Sequence, residues 1–469
     1  MRFNLTYSLN EIAEIYDGPH ATPKKLEKGN AIFLSISSIE NGRLNLEKSS
    51  FISDDDFAKW TRRVTPQAGD VVFSYETKIG EASIIPEGLR CCLGRRMGLL
   101  RAKQNKVLPQ YLLYAYLSPA FQDVIREKTI HGSTTDRLSI KEMPSFKIEI
   151  PDIHSQKKII KILSAIDIKL SKNTEINQTL EQMAQALFKS WFVDFEPVKA
   201  KIAVLEVGGS QEDATFAAMT AISGKNADAL AVFEREYPEQ YAELKATAEL
   251  FPSAMQESEL GAIPEGWLVK PLGDSLEIKR GGSPRPINDF IRPTGYPWVK
   301  IADATASISP FLFKTSQFIK EEGLKKTVYL RKGELILSNS ATPGLPKFLQ
   351  LDACIHDGWL YFPRISNYTD TYLYFLFLKI RRELVAKGNG SVFTNLKTDI
   401  LREHLAVLPE CKIVNRFSVL ALSYLDAIKA NELTINSLSC IRDTLLPKLL
   451  SGEITLPDAE QAVSEAENV

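Results

Sequence analysis

Most signatures of a catalyst are missing from this chain of 469 residues. Its five cysteines are odd in number and form no CxxC pair. Neither a disulfide framework nor a zinc knuckle is therefore indicated, and a reducing, cytoplasmic setting is expected. The five histidines (His20, His131, His154, His356, His404) show no HExxH or other ligand spacing. There is no GxxxxGK[ST] phosphate loop, and no Pro-Pro dipeptide of the kind found in the substrate pocket of amino-methyltransferases. No apolar run approaches the roughly 18 residues of a membrane span. MRFNLTYSLNEIAEI has no apolar core and no small-residue cleavage site, so a secretion signal is not expected.

One catalytic string can be assembled. Pro151-Asp152 followed by Asp167-Ile168-Lys169 matches a loose PD…DxK pattern of metal-dependent nucleases. Such chemistry needs carboxylates gathered on strands around Mg²⁺. Here the DxK lies in a helical stretch, so a self-sufficient nuclease is only an alternative reading. Glu243-Leu244-Lys245 likewise lacks a spaced acidic partner beyond nearby Glu239.

Net charge is also nearly absent, at -1, but it is unevenly distributed. Residues 1–150 carry 21 basic against 18 acidic side chains, and residues 266–408 carry 20 against 13. Residues 206–265 carry 3 against 12. Two large basic stretches that can touch phosphate thus flank an acidic insert.

Helical periodicity is strongest between Ile153 and Phe195. Apolar residues fall at Ile159, Leu163, Ile166 and Leu170, then, after a phase break near Asn173, at Ile176, Leu180, Met183, Leu187 and Trp191. About 40 residues at roughly 1.5 Å each predict a rod on the order of 60 Å long. A second stretch repeats the pattern. Ile413, Phe417, Leu420, Tyr424 and Ala427 precede a break near Asn431, and Leu438, Ile441, Leu445 and Leu449 follow it. By pattern alone the pair reads equally as a coiled coil or as two unrelated surface helices.

An internal repeat favours the coiled coil. WVKIADA (Trp298–Ala304) echoes FLSISSI (Phe33–Ile39), and KGELILS (Lys332–Ser338) echoes AGDVVFS (Ala68–Ser74). Thr369–Leu384 echoes Leu108–Thr129, which reads as two short helices broken at Ser118-Pro119. Gly132, Ser133, Leu138 and Pro151 each recur 258 residues on, as Gly390, Ser391, Leu396 and Pro409. The repeat unit is a mixed α/β domain followed by a long helix. The expected fold is α+β: two similar mixed α/β domains separated by two long antiparallel helices in an intramolecular coiled coil, with pseudo-two-fold symmetry. The expected segments are domains at 1–152 and 259–409 and spacer helices at 153–205 and 410–452. An acidic insert occupies 206–258 and an acidic tail 453–469.

Three blocks carry a family likeness: LEQMAQALFKSWFVDFEPVKAK (Leu180–Lys201), SELGAIPEGWLVKPLGD (Ser258–Asp274) and IRDTLLPKLLSGEI (Ile441–Ile454). In these, and in their order, the chain resembles the DNA-specificity subunit of type I restriction–modification enzymes. The resemblance implies two target recognition domains, each reading one half of a split site in double-stranded DNA. It implies spacer helices that dock two methyltransferase subunits, with restriction subunits joining them. It implies no catalysis and no cofactor in this chain; S-adenosylmethionine, ATP and Mg²⁺ would sit on the partners, and no membrane is involved. A protein-binding scaffold with two divergent adhesive domains is the alternative from another class.

Candidate DNA-contacting residues lie on polar loops, where Arg–guanine and Asn–adenine geometry is available. In the first domain they are Lys24 and Lys25, Thr77 and Lys78, Arg95 and Arg96, and Ser133, Thr134, Thr135 and Arg137. In the second they are Arg280, Ser283 and Arg285, then Asn339, Ser340 and Lys347, then Asn389, Ser391, Thr394 and Asn395. The aromatics of LFKSWFVDF either pack on the acidic insert or form an exposed patch. On the second reading Phe188, Trp191 and Phe192 contact a methyltransferase subunit.

Overall fold

The computed structural model describes residues 5–40, 42–132, 135–388 and 395–454, the side chains of 387 and 388 excepted. It divides into two compact units, Met1–Lys172 with Leu433–Val469, and Asn173–Glu432. Two long helices, Ile153–Phe192 of 40 residues and Cys411–Ser451 of 41, each give one part to either unit.

In the first unit, strand Leu5–Ser8 pairs antiparallel with Lys147–Ile150. A four-stranded antiparallel sheet follows in the order Ala13–Asp17, Met97–Ala102, Val71–Ser74, Ala82–Ile84. In a smaller sheet, Ala31–Phe33 lies between Ser50–Ile52, antiparallel, and Cys91–Cys92, parallel. Helices Pro109–Leu117 and Pro119–Glu127 break at Ser118 as expected. Pro119 has no N–H to continue the first helix, and the Ser118 hydroxyl caps the second by accepting from Phe121 N at 3.3 Å.

The second unit repeats this plan. Leu268–Pro271 pairs with Leu405–Leu408. A five-stranded sheet has the order Leu276–Arg280, Trp359–Ile365, Leu335–Ser338, Pro346–Leu349, Phe311–Leu312. Its first four strands match the four of the first unit in order and direction. In the companion sheet, Tyr296–Val299 again has an antiparallel neighbour, Gln317–Ile319, and a parallel one, Ala353–Ile355. One helix, Asp370–Gly388, stands where the first unit has two.

The helix pair forms part of the core in each unit. In the first, Ile159, Leu163, Ile166 and Leu170 join Leu438, Leu445 and Leu449 around Phe73, Tyr111 and Tyr116. In the second, Asn431 Nδ2 donates to Asn177 Oδ1 at 2.9 Å, and the Trp191 and Phe417 rings lie 6.0 Å apart. Advancing from 177 to 191 on one helix therefore means retreating from 431 to 417 on the other, so the pair is antiparallel.

Beyond the Asn173 break the buried stripe differs from the expected one. Ile176 and Met183 are exposed, while Asn177, Ala184, Phe188, Trp191 and Phe192 are buried. On the other helix Ala421, Leu425 and Ile428 are buried in place of Leu420, Tyr424 and Ala427. The stripe widens by a residue: Trp191 is buried as expected, Leu180, Leu187, Leu420 and Tyr424 are partly buried, and small Ala184 and Ala421 lie inside, since each helix packs on its domain as well as its partner.

The first long helix stops at Phe192, short of the expected 205, and Glu196–Glu206 is a separate helix ahead of the acidic insert, which is itself helical at Gln211–Ser223, Ala227–Glu236 and Pro238–Glu249. The Lys201 ammonium donates to Phe251 O at 2.6 Å, and the Phe251 ring meets Trp191 edge-on at 5.0 Å. This corrects the expectation of an apolar surface patch. Phe188, Trp191 and Phe192 are buried among Tyr372, Phe375, Phe417 and Trp267 of their own unit, so they are not available to a partner subunit.

Candidate nucleic-acid interface

In both domains one end of the main sheet carries a cluster of loops, and the backbone builds both clusters alike. In the first, the strand ending at Asp17 turns through Gly18, whose N–H donates to Met97 O at 2.9 Å. In the second, the strand ending at Arg280 turns through Gly281, which donates to Trp359 O at 2.8 Å. Tyr75 N donates to Arg96 O at 3.3 Å, as Asn339 N does to Gly358 O at 2.8 Å. Leu138 N donates to Tyr75 O at 2.8 Å, as Leu396 N does to Asn339 O at 2.7 Å. Leu138 and Leu396 are the leucines aligned by the sequence repeat.

Side chains fill the two frames differently. In the first domain, Asp17 accepts from the Tyr75 hydroxyl at 3.1 Å and pairs with His20 at 3.1 Å and Arg63 at 3.6 Å. Burial, reinforced by Asp17, pushes the Tyr75 phenol well up, so it remains a donor. Arg96, in the left-handed region at φ 68°, pairs with Glu76 at 2.6 Å. Arg95 beside it is exposed, and Glu76 bridges by its backbone to Arg137. Thr77 is exposed at φ 67°, while the Lys78 ammonium is spent on Ile39 O at 3.0 Å.

In the second domain, Asp357 is the hub. Its Oδ1 accepts from the Ser283 hydroxyl at 2.5 Å, and its Oδ2 lies 3.4 Å from Arg285 and 3.9 Å from Arg280. Arg280 Nε donates to the Asp357 carbonyl. Burial pushes the Asp357 carboxyl up, but the Ser283 hydroxyl, a backbone amide, Arg280 and His356 outweigh it and hold it below the usual range. His356, held down mainly by burial, takes the Gly358 N–H on Nδ1 at 2.7 Å.

Two candidates of the second domain need correction. Lys347 is not on a loop. It lies in strand Pro346–Leu349, 2% exposed, and its ammonium donates to Ser307 O at 2.9 Å and to Ser309 O. Asn339 is 4% exposed, and its amide donates to Asp357 O at 3.3 Å, so it latches two loops together. Ser340 beside it is half-buried, and Asn395 is exposed next to Leu396. In the first domain Lys24 and Lys25 are exposed on an extended segment leading to Leu26, and Thr135 is half-buried. Ser133, Thr134, Asn389, Ser391 and Thr394 lie outside the described residues.

Sequence reasoning missed Asp17, His20, Arg63, Tyr75, Glu76, His356 and Asp357. The available signal was positional, since the turns Asp17-Gly18-Pro19-His20 and His356-Asp357-Gly358 carry charge beside a glycine. The nuclease string dissolves. Asp152 caps its helix, accepting from His154 N at 2.8 Å and Ser155 N at 3.1 Å. Asp167 accepts from the Tyr114 hydroxyl at 2.8 Å and pairs with Arg442 at 3.7 Å. Among the described residues no three His, Cys, Asp or Glu side chains are grouped to hold a metal ion. No helix among them is long and apolar enough to cross a membrane.

Each copy of the duplicated α/β domain thus carries a polar, partly basic loop cluster at one end of its main sheet. The chain belongs to the type I restriction modification DNA specificity domain family, whose model matches residues 4–182 and 264–436. It is 32% identical over 380 residues to the type I restriction enzyme HindI specificity subunit of Haemophilus influenzae, covering 76% of this chain and 80% of that one. It is 24% identical over 462 residues to the MjaIX specificity subunit of Methanocaldococcus jannaschii, covering 96% and 90%. Among solved structures, the type I restriction–modification S subunit from M. genitalium shares the fold. Its TM-score is 0.50 at 12% identity, over 95% of this chain and 96% of that one.

Proposed function

We propose that this chain is the sequence-reading subunit of a type I restriction–modification complex. Each domain reads one half of a bipartite, asymmetric target in double-stranded DNA. The supporting observation is the pair of loop clusters, framed by matched backbone hydrogen bonds and filled with different side chains. A dimeric reader with identical halves is restricted to a near-palindromic site. Fusing two divergent readers in one chain removes that restriction.

The basic domains supply phosphate contact and register, and the loop side chains supply base discrimination. Methyl transfer from S-adenosylmethionine belongs to two docked methyltransferase subunits. ATP-driven translocation and Mg²⁺-dependent cleavage belong to restriction subunits. The setting is the cytoplasm, where these meet DNA.

The test is co-expression with a methyltransferase partner in a host lacking such a system, followed by genome-wide methylation sequencing. The expected result is one motif of two defined halves separated by a fixed number of unspecified bases. Arg96→Ala should relax one half and leave the other intact. Methylation without sequence preference, or none above the host lacking this chain, would refute the reading.

A further inference from the structure

The second domain's loops contain a carboxylate where a phosphate-binding site would want none. Asp357 sits 3.4 Å from Arg285 and 3.9 Å from Arg280, yet the two guanidinium side chains remain 74% and 53% exposed. A carboxylate this close cancels much of the field that would draw in a phosphate. It also restrains two long side chains that otherwise carry large rotamer entropy. What remains is a set of oriented N–H donors with a net charge of +1 in place of +2. Halving the charge weakens the pull on an anion and leaves the donors for a neutral, acceptor-rich surface.

We propose that Asp357 is a positioning residue for base recognition, holding Arg280 and Arg285 as a donor array for the major-groove edge of guanine in one half of the target. This rests on the DNA-reading function proposed above. Guanine alone presents two adjacent acceptors, N7 and O6, in the major groove, which one guanidinium engages bidentately. A guanidinium has five N–H donors. Arg280 commits Nε to the Asp357 carbonyl, and Arg285 directs one terminal nitrogen at Oδ2. Each keeps N–H groups free for a base. Ser283 contributes by fixing Oδ1 at 2.5 Å, so the carboxylate itself cannot swing.

The experiment uses the complex of the full chain with its methyltransferase partner. Methylated motifs are sequenced, and binding to single-base variants of the target is measured at several salt concentrations. The wild-type motif should contain guanine in the half controlled by this domain. Asp357→Asn and Arg285→Lys should each lower discrimination at that guanine by about 5- to 150-fold, the range of one good bidentate pair. The half relaxed by Arg96→Ala should be unchanged, and Asp357→Glu should restore part of the loss. Arg285 is a surface side chain, so its variant keeps the test valid if Asp357→Asn fails to fold in a thermal melt.

Three outcomes overturn the proposal while leaving the DNA-reading function standing: a controlled half without guanine, an unchanged preference, or a uniform loss of affinity with a shallower salt slope, which marks a phosphate contact. A preference altered by Asp357→Asn but not by Arg285→Lys would overturn it too, since the carboxylate would then read cytosine directly. A wild-type complex without any motif would instead remove the function on which the proposal rests.

Discussion

The two domains share a main-chain frame and reverse its charges. In the first, the acid (Asp17) ends the opening strand and the base (Arg96) precedes the returning strand. In the second, the base (Arg280) ends the opening strand and the acid (Asp357) precedes the return. The three matched N–H···O=C bonds survive this reversal because they involve no side chain. A loop whose shape is set by backbone bonds can change its side chains without losing its position. That is what a pair of readers with unlike targets requires.

The same comparison extends inward. At the third and fourth sheet strands, Val72 faces Ser83 in the first domain, and Ile336 faces Lys347 at the matching place in the second. Both Ser83 and Lys347 are buried. Burial holds the Lys347 ammonium down to about 8. Between pH 8 and 10.5 the unfolded lysine keeps a proton that the folded one has lost, so stability rises with pH across that window. The rise is up to about 3 kcal/mol for a shift of this size. Lys347→Met should flatten the rise, read as the difference between wild-type and variant denaturation midpoints. A Lys347→Met variant that tracks wild type from pH 8 to 10.5 would show that Lys347 is charged in the fold, whereas Ser83→Ala keeps Lys347 and should show the same rise as wild type.

The shared frame can itself be broken. A Cβ on Gly18 would stand 2.6 Å from Met97 O, and one on Gly281 2.3 Å from His356 O and 2.8 Å from Ile355 O. Backbone atoms cannot swing aside as a side-chain tip does. Gly18→Ala and Gly281→Ala should each cost about 1–3 kcal/mol, the usual scale of overpacking, with Gly281 the more sensitive. Denaturant midpoints measure this, and equal midpoints for wild type and Gly281→Ala would mean the turn yields.

These features were unequally legible in the sequence. The repeat, the long helices and the break at Ser118-Pro119 were readable because they rest on local periodicity, on a proline's missing N–H and on spacing. The family signatures pointed to recognition. The side-chain hydrogen bonds and ion pairs between the loops were not readable. Asp17 meets Tyr75 across 58 positions and Arg285 meets Asp357 across 72, and no local rule links them. Lys347 was misplaced because a lysine in a strand looks solvated unless the carbonyls of Ser307 and Ser309 are known to lie over it. The burial of Trp191 depended on Phe251 and Phe417, one in the insert and one on the other helix.

Each domain also ties itself to the first long helix through a tyrosine. Tyr114 donates to Asp167 at 2.8 Å in the first unit, and Tyr374 donates to Glu181 at 2.7 Å in the second. Tyr114→Phe and Tyr374→Phe each remove one donor from a carboxylate and should cost about 1–3 kcal/mol, as hydrogen bonds to charged groups do. Asp167 also pairs with Arg442 in the first unit, so its loss should be the smaller. Chemical denaturation of the two variants ranks them, and the reverse order would mean that Arg442 does not support Asp167.

The smallest effect concerns the loop tips. Thr77 and Ala341 follow the third sheet strand of their domains at matching places, and both hold positive φ, 67° and 57°. An L residue in the left-handed region pays roughly 1 kcal/mol that glycine avoids. Glycine returns part of that through the greater entropy of its unfolded chain. A β-branched residue is the less comfortable there, so Thr77→Gly should gain more stability than Ala341→Gly, both by less than about 1 kcal/mol. If Thr77→Gly instead loses stability, the threonine side chain supports the loop that carries Glu76, the partner of Arg96. The two frames would then differ in how they hold their tips, as well as in the charges they present.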